Sequence, residues 1–200
     1  MTAVFPTPPP FSAERLLLVG TGALGVFSLP GWMGWLRTCY PTLETRTVLT
    51  RQATAFVAPA ALTAIGGNEI LHDEWPAQPR TTALHAELAE WADAVAVFPA
   101  TFHFVSRLAL GLADTPVLLA LQCTAAPVAL APALPPGGLH SHAFQSHLAA
   151  LRTRGNVLVA GPEVGPSVTT GRTDASTAAP LPVLLELIEK HRTSMPGPGA

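Results

Sequence analysis

The chain has 200 residues, of which 48% are hydrophobic and 12% charged, and its formal net charge is −2. This length suits one compact domain with a sizeable core. The lack of a basic block excludes the charge pattern of a nucleic-acid-binding protein. This high apolar content is typical of a chain that buries additional surface between subunits.

Two long uncharged runs, residues 16–36 and 115–139, reach the length of a membrane span. Both are interrupted by glycine or proline, so we interpret them as strands, turns and helices and expect no membrane segment. No secretory signal is predicted at the start of the sequence. Cys39 and Cys123 show neither metal-ligand spacing nor a disulfide framework, so we expect a protein of the reducing cytoplasm.

The pattern along the chain predicts a proline-rich flexible arm over residues 1–13, a single domain over 14–192 and a flexible tail over 193–200. Strands are predicted at residues 15–20, 45–50, 94–98, 117–121, 128–131 and 156–161, most of them in short apolar runs. Helices are predicted in an apolar stretch ending at residue 37 and at residues 51–66 (with a turn), 83–92, 102–113, 145–154 and 182–191. This alternation predicts a six-stranded parallel sheet covered by helices on both faces.

Ligands of such sheets bind at the carboxyl ends of the strands, next to helix N-termini. The candidate site therefore comprises the residues that follow the predicted strands: 21–24, 50–53, 99–103, 121–124 and 132–138.

The turn after the first strand offers a G-x-G-x-x-G spacing through Gly20, Gly22 and Gly25. Glycines there let the backbone approach a phosphate closely. A dinucleotide site also needs an acidic residue about twenty residues further on, at the end of a strand, to bind the ribose. Glu44 has that spacing but does not end a clear strand. This favours a mononucleotide or flavin phosphate over a dinucleotide. Thr50 and Gln52, after the second strand, either cap a helix or donate to a phosphate or ribityl chain.

Two histidines are candidates for the site at this edge of the predicted sheet. His85 begins a predicted helix and His103 follows the third strand. Each is interpreted as either a surface or capping residue or a general base working near neutral pH. A later group, His140, His142 and His147, matches no zinc spacing, so no metal site is predicted. The Gly/Ser/Thr-rich loop at residues 165–179 has the length of a mobile lid.

Five segments, in order, resemble the homo-oligomeric flavin-containing cysteine decarboxylases. They are VGTGAL (19–24), VLTRQATAFV (48–57), His85 with the downstream AD pair and FPATFH (98–103), GLAD (111–114) and PVALAPALP (127–135). This family includes the lantibiotic peptidyl-cysteine decarboxylases and phosphopantothenoylcysteine decarboxylase. The resemblance covers about residues 15–172.

The resemblance implies an α/β, Rossmann-like (flavodoxin-like) three-layer sandwich that binds FMN, or alternatively FAD, between the subunits of a homotrimer. A dodecamer of four trimers is the larger assembly. His85 matches the catalytic histidine. The residues on the family's flavin-contacting segments are Thr21, Gly22, Thr50, Pro99, Ala100 and Thr101. The predicted cofactor-binding set also includes Ala23, Leu24, Gln52, Ala53, Phe56 and, from the predicted strand ends, Cys123. The predicted substrate-binding residues are Leu134 and Pro135 of the matched PVALAPALP segment, with His103 and His140.

The activity that the resemblance implies is oxidation of the C-terminal cysteine of a ribosomal precursor peptide to a thioaldehyde. The carboxylate then leaves as carbon dioxide with the thiocarbonyl as electron sink, and an aminoenethiol remains. Alternatives are a phosphopantothenoylcysteine decarboxylase-like enzyme, a flavin prenyltransferase-like enzyme and a non-catalytic flavin-binding homologue.

The sequence departs from the family pattern at the residues that bind the substrate carboxylate. His103 and Pro135 replace two asparagines, and Gly138 and Leu139 replace a Met-Trp pair. We therefore expect recognition by His103, His140 and backbone N–H groups. The segment GPSVTTGRTD (165–174) also lacks the cysteine that phosphopantothenoylcysteine decarboxylases use to reduce the enethiol, which favours a peptide-tailoring enzyme.

Overall fold

The computed structural model describes residues 6–78, 81–161, 163–165, 167, 170–173 and 175–194. Within these ranges the strands are β1 (Arg15–Gly20), β2 (Glu44–Leu49), β3 (Ile70–His72), β4 (Ala94–Thr101), β5 (Val128–Ala133), β6 (Val157–Val159), β7 (Glu163–Gly165) and β8 (Ala175–Thr177). The α-helices are α1 (Leu29–Cys39), α2 (Pro59–Gly66), α3 (Leu84–Trp91), α4 (Phe102–Ala109), α5 (Pro116–Cys123), α6 (His142–Arg152) and α7 (Leu181–Ser194). Short 3-10 helices, Leu24–Ser28 and Arg51–Ala55, follow β1 and β2.

Six strands form one parallel sheet in the order β3-β2-β1-β4-β5-β6. The central strands are almost wholly buried: seven of the eight residues of β4 are inaccessible to solvent. A strand covered on both faces buries every side chain, which is why these strands are continuous apolar runs. The predicted three-layer fold with a six-stranded parallel sheet is confirmed.

The two faces of the sheet bury separate cores. Leu16 and Leu18 of β1 point to the side of α1, α2 and α7, whereas Leu17 and Val19 point to the side of α3, α4, α5 and α6. Successive residues of a strand face opposite ways, so one apolar run fills both cores.

The predicted strand at residues 117–121 is wrong, because this segment lies in helix α5. Thr115 caps the helix by accepting a hydrogen bond of 3.4 Å from the backbone N–H of Leu118. Pro116 suits the first turn, where its missing N–H costs nothing. The sixth strand is instead β3, a three-residue edge strand that pairs with Thr47–Leu49 of β2 and was not predicted.

Residues 6–13, predicted to belong to a flexible arm, pack along α1. The indole Nε1 of Trp35 donates to the carbonyl of Pro6 at 3.2 Å, and the hydroxyl of Tyr40 donates to the carbonyl of Pro9 at 2.6 Å. At the other end α7 continues to Ser194, so the first two residues of the predicted tail are helical. The rest of the predicted arm and tail, residues 1–5 and 195–200, lies outside the described residues.

The uncharged runs are divided among separate elements. Residues 16–36 contribute to β1 and α1, and residues 115–139 contribute to α5 and β5. Throughout the part of the chain that the structure describes, no helix is both long and apolar enough to cross a membrane.

Candidate active site

A cleft of about 680 Å³ opens at the carboxyl ends of β1, β4 and β5. This is the edge where ligands of parallel α/β sheets bind. The cleft is lined by Gly22, Ala23, Leu24, Gly25, Phe27, Thr101, Phe102, His103, Ala133, Leu134, Pro135, Pro136, Ser167, Thr170, Ala175, Ser176, Thr177 and Ala178. Seven of the predicted site residues are therefore brought together: Gly22, Ala23, Leu24, Thr101, His103, Leu134 and Pro135.

A buried hydroxyl joins the two central loops of this edge. Thr21 donates to the carbonyl of Pro99 at 2.7 Å and accepts from the backbone N–H of Thr101 at 2.9 Å. Thr21 is 1% exposed. Proline has no N–H for the sheet ladder, and the pairing of β4 with β5 shifts at this point. The Thr21 hydroxyl therefore fixes the end of β4 relative to the turn after β1.

The turns after β1 and β2 touch at Gly22. A Cβ atom at Gly22 would lie 2.3 Å from the Cβ of Gln52, so no larger residue fits without displacing the second turn. The backbone N–H of Thr50 donates to the carbonyl of Gly20 at 3.0 Å. The two turns are therefore packed directly against each other. Gly22 and Ala23 of the first turn also line the cleft, where a glycine backbone can approach a phosphate.

Thr50 presents a buried hydroxyl to this region. Its Oγ1 has no hydrogen-bond partner among the described residues. Buried polar atoms are almost always paired, so an unpaired one points to a partner that the isolated chain does not supply. Thr50 and the Gly22 turn thus fit the polar part of a flavin, whereas Gln52 and Phe56 are exposed beside them and Ala53 is buried.

Helix α4 begins inside the cleft. The side chain of Thr101 caps it by accepting from the N–H of Phe104 at 3.2 Å, while Pro99 and Ala100 just before it are buried. His103 lies in the first turn, exposed to the cleft. Among the described residues that line the cleft, His103 alone carries a titratable side chain.

His103 contacts a charged pair behind it. The Nη1 atom of Arg107 lies 3.5 Å from its Nε2, and the Nη2 atom of Arg107 lies 2.5 Å from Oδ1 of Asp114. The hydrogen bond from Arg107 holds the pKa of the Asp114 carboxyl below its usual range. The GLAD turn therefore supplies an ionised carboxylate that fixes the guanidinium next to His103.

His85 lies apart from the residues that line the cleft, at the start of α3. Its ring packs edge-to-face against Trp75, with centroids 5.7 Å apart and planes at 71°. The indole Nε1 of Trp75 donates to the carbonyl of Asp114 at 2.8 Å. The Nδ1 atom of His85 is buried and has no hydrogen-bond partner among the described residues. Sequence reasoning missed Trp75, which belongs to none of the recognised motifs.

A hairpin forms one wall of the cleft and was also missed. β7 and β8 pair antiparallel, and Ser176 of β8 exchanges two backbone hydrogen bonds with Leu134, of 2.8 and 3.2 Å. Part of the predicted lid, residues 165–179, is therefore attached to the loop after β5. Residues 166, 168, 169 and 174 of this lid lie outside the described residues.

Besides His85, two further predicted site residues, Cys123 and His140, lie away from the cleft. Cys123 is exposed at the end of α5, just before the amino end of β5, on the opposite edge of the sheet from the cleft. The predicted strand over residues 117–121 would have placed Cys123 at the carboxyl edge of the sheet, but this segment is helix α5. His140 is exposed between the cleft loop and α6 and does not line the cleft. Within the described ranges, no group of three or more His, Cys, Asp or Glu side chains could hold a metal.

The profile of the Flavoprotein family matches residues 8–190. The chain therefore belongs to this family, and the resemblance predicted from its motifs is confirmed. It is 29% identical over 182 residues to the cypemycin cysteine dehydrogenase (decarboxylating) of a Streptomyces species, covering 91% of this chain and 94% of that protein. It is 39% identical over 122 residues, 61% of this chain, to the coenzyme A biosynthesis bifunctional protein CoaBC of Haemophilus influenzae, and spans only 30% of that relative.

Solved structures show the same relationship. The crystal structure of the cypemycin decarboxylase CypD superposes with a TM-score of 0.75 at 28% identity, covering 94% of this chain and 98% of that one. The FMN-dependent cysteine decarboxylase SpaF superposes with a TM-score of 0.74 at 24% identity, covering 89% of this chain and 97% of that one. At 24% identity, the similarity to SpaF shows that the two chains share a fold.

Proposed function

We propose that this protein is an FMN-dependent enzyme that oxidatively decarboxylates the C-terminal cysteine of a ribosomal precursor peptide to an aminoenethiol. The observation that carries this proposal is the similarity to the cypemycin cysteine dehydrogenase along nearly the whole of both chains. The prediction from the motifs points to the same activity, and the cleft lies where the fold places its ligands.

The residues at the carboxyl edge fit a flavin. Gly22 lines the cleft, where its backbone can be approached by a phosphate, and Thr50 offers a buried hydroxyl that has no partner among the described residues. We assign Thr21, Pro99, Ala100 and Thr101 to the wall beside the cofactor. A bound flavin would supply the acceptor for the hydride, and with it the two electrons, removed from the substrate cysteine. FAD is the alternative, and Cys123 has no place in this assignment.

The substrate end of the cleft is mostly apolar, with His103 as its titratable group. This suits a cysteine side chain packed near Leu134 and Pro135, with the terminal carboxylate bound by His103 and backbone N–H groups. His140 lies just beyond the cleft, where it would contact the upstream residues of a bound peptide. Charge-assisted hydrogen bonds of this kind replace the missing asparagine amides.

His85 is the proposed proton-transfer residue, acting through its buried Nδ1 atom. Its imidazole takes the thiol proton as the Cβ–H bond of the cysteine breaks, which gives a thioaldehyde. The bond to the carboxylate then breaks, carbon dioxide leaves, and its electron pair forms the carbon–carbon double bond while the thiocarbonyl becomes a thiolate. Return of the proton from His85 gives the enethiol.

A homotrimer, extended to a dodecamer of four trimers, is the proposed assembly. Large apolar side chains are exposed near the site on Leu24, Phe27, Phe56 and Trp75, with Phe27 61% exposed. Exposed apolar patches of this kind mark interaction surfaces. A flavin held between subunits would let the His85 of one subunit serve the cleft of another, which accounts for its separation from the cleft of its own chain.

A second candidate, decarboxylation of phosphopantothenoylcysteine, has support from the 39% identity to CoaBC. That identity covers a shorter part of the chain, and the last cysteine of the sequence, Cys123, lies on the opposite edge of the sheet from the cleft. Parallel incubation with this small substrate and with a cysteine-terminated peptide distinguishes the two. We expect turnover of the peptide alone, and exclusive turnover of the small substrate contradicts the proposal.

A cytoplasmic location is proposed with this activity. Both cysteines are free in the structure, as in proteins kept reduced in the cytoplasm. Fractionation of the producing cells tests this: activity and flavin should appear in the cytoplasmic fraction, and recovery from the medium would contradict it.

A further inference from the structure

We propose that Trp75 is a positioning residue that holds the imidazole of His85 in its working orientation. This inference rests on the role proposed above for His85. It concerns a residue outside every recognised motif of the sequence.

The indole ring contacts the imidazole directly. The two rings meet edge-to-face with centroids 5.7 Å apart, a geometry that aromatic rings favour because the edge of one is positive and the face of the other negative. Within its own chain Trp75 is 47% exposed, so burial inside the subunit does not by itself hold the side chain in place. Its orientation must come from specific contacts.

Those contacts tie Trp75 to two neighbouring elements. Its Nε1 donates to the carbonyl of Asp114 at 2.8 Å. Two residues earlier, Oδ1 of the buried Asp73 accepts from the N–H of Val117 at 2.9 Å. The segment that carries the indole is thus attached to both the turn before α5 and the first turn of α5, which fixes the plane of the ring.

The nitrogen proposed to react, Nδ1 of His85, has no comparable attachment within the described part of the chain. No hydrogen bond joins Nδ1 of His85 to another described residue. A catalytic histidine is normally oriented by a hydrogen bond at the nitrogen that does not react. The edge-to-face contact with Trp75 orients the ring without occupying Nδ1, which therefore stays available to the substrate.

Asp114, whose carbonyl binds Trp75, also forms the ion pair with Arg107 next to His103. The carbonyl of Asp114 holds the indole, and the carboxylate of the same residue holds Arg107, which lies 3.5 Å from His103. The turn at Asp114 therefore supports both histidines of the proposed site.

Two variants of Trp75 and one control test the proposal in the full-length flavin-loaded enzyme. Trp75→Leu removes the ring contact and the hydrogen bond, so we expect kcat to fall by about ten- to a hundred-fold with KM nearly unchanged. Trp75→Phe keeps a ring against His85, and we expect it to recover most of this loss. Trp91→Phe changes a tryptophan at the far end of α3, under Arg46, and should match the parent.

A second readout is independent of turnover. A protonated imidazole quenches an indole in contact with it, so the fluorescence of the parent should show a step with pH that is lost in both His85→Gln and Trp75→Phe. The other titratable groups near the pair are Asp73, Glu74, Asp114 and Arg107, and loss of the step in His85→Gln assigns it to the imidazole. Trp91→Phe should keep the step.

A Trp75→Leu enzyme with the kcat of the parent overturns the inference. So does a fluorescence step that survives in Trp75→Phe. If the parent does not decarboxylate cysteine peptides, the proposed function fails, and the fluorescence titration alone decides whether Trp75 and His85 are coupled. Flavin absorbance and thermal unfolding of each variant confirm that it is folded.

Discussion

The hydroxyl of Thr21 lies between two backbone groups at the end of β4, donating to Pro99 and accepting from Thr101. This one side chain joins the turn after β1 to the residues that begin α4. It therefore fixes the shape of the cleft wall beside the proposed cofactor site.

Thr21→Val should lower the free energy of unfolding by about 1–3 kcal/mol, because two buried backbone groups lose their partner while the volume is kept. Urea denaturation measures this change. Thr193→Val, in an exposed position whose hydroxyl contacts only its own helix, should change stability by less than about 0.5 kcal/mol. Equal effects of the two substitutions would show that Thr21 has no special role.

Gly22→Ala should weaken flavin binding strongly, since the new methyl group would collide with Gln52 and push the two turns apart. The absorption spectrum of the purified variant and a titration of the flavin-free protein with FMN measure the loss. Gly155→Ala is the matched control because a Cβ there meets no atom within 4 Å. A Gly22→Ala protein as yellow as the control would contradict the assignment of this turn to the cofactor.

His85→Asn should remove nearly all decarboxylation and leave flavin binding intact, because proton transfer through Nδ1 is lost while the turns that hold the cofactor are unchanged. Loss of a general base typically costs about a hundred- to ten-thousand-fold in rate. His191→Asn, near the end of α7, serves as control. A His85→Asn enzyme that works as well as the control would favour a non-catalytic, scaffolding role for the chain.

Asp73→Asn should stabilise the protein increasingly as the pH rises. Burial raises the pKa of the Asp73 carboxyl, against the opposing hydrogen bonds from Val117 and Thr115. Below about pH 4 the group is protonated in both the folded and unfolded chains, so it imposes no charge penalty. Above that pH the unfolded chain ionises first, and the parent loses stability relative to the Asn variant, whose side-chain oxygen still accepts from Val117.

Urea denaturation at acidic and neutral pH measures this difference. Asp73→Ala, which leaves the N–H of Val117 unpaired, should be less stable than the parent at both pH values. An Asn variant whose advantage shrinks as the pH rises would contradict the effect of burial on Asp73.

The parallel sheet could be predicted because its central strands are buried on both sides. The predicted strands at residues 15–20 and 94–98 are mostly apolar and correspond to β1 and the first part of β4. The predicted strand at residues 45–50 corresponds to β2, although only Val48 and Leu49 in it are apolar. α5 could not be told from a strand, because a short helix buried around its circumference shows no apolar stripe. The three residues of β3 are too few to form any pattern.

The candidate site was predictable where it depends on backbone turns and not where it depends on distant contacts. Gly22, Thr101 and His103 follow strands, so the fold alone brings them to one cleft. Ser176 reaches the cleft only through its pairing with Leu134, and Trp75 reaches His85 only through the Asp114 turn. Neither contact leaves a signal in the local sequence.

The oligomeric state is best tested by native mass spectrometry of the flavin-loaded protein. We expect a trimer or a multiple of three, because the exposed apolar side chains near the site need a partner surface. Phe27→Glu places a charge in that surface and should shift the mass toward the monomer, whereas Val164→Glu changes an exposed residue of β7 and serves for comparison. A monomeric parent would contradict the shared site.

The central claim is tested most directly by the mass of a cysteine-terminated peptide after incubation with the yellow protein. The peptide should lose the mass of carbon dioxide and two hydrogen atoms, and the product should react with thiol reagents as an enethiol. The same peptide ending in serine should keep its mass. A cysteine peptide that retains its carboxylate in the presence of flavin-loaded enzyme would contradict the proposed function.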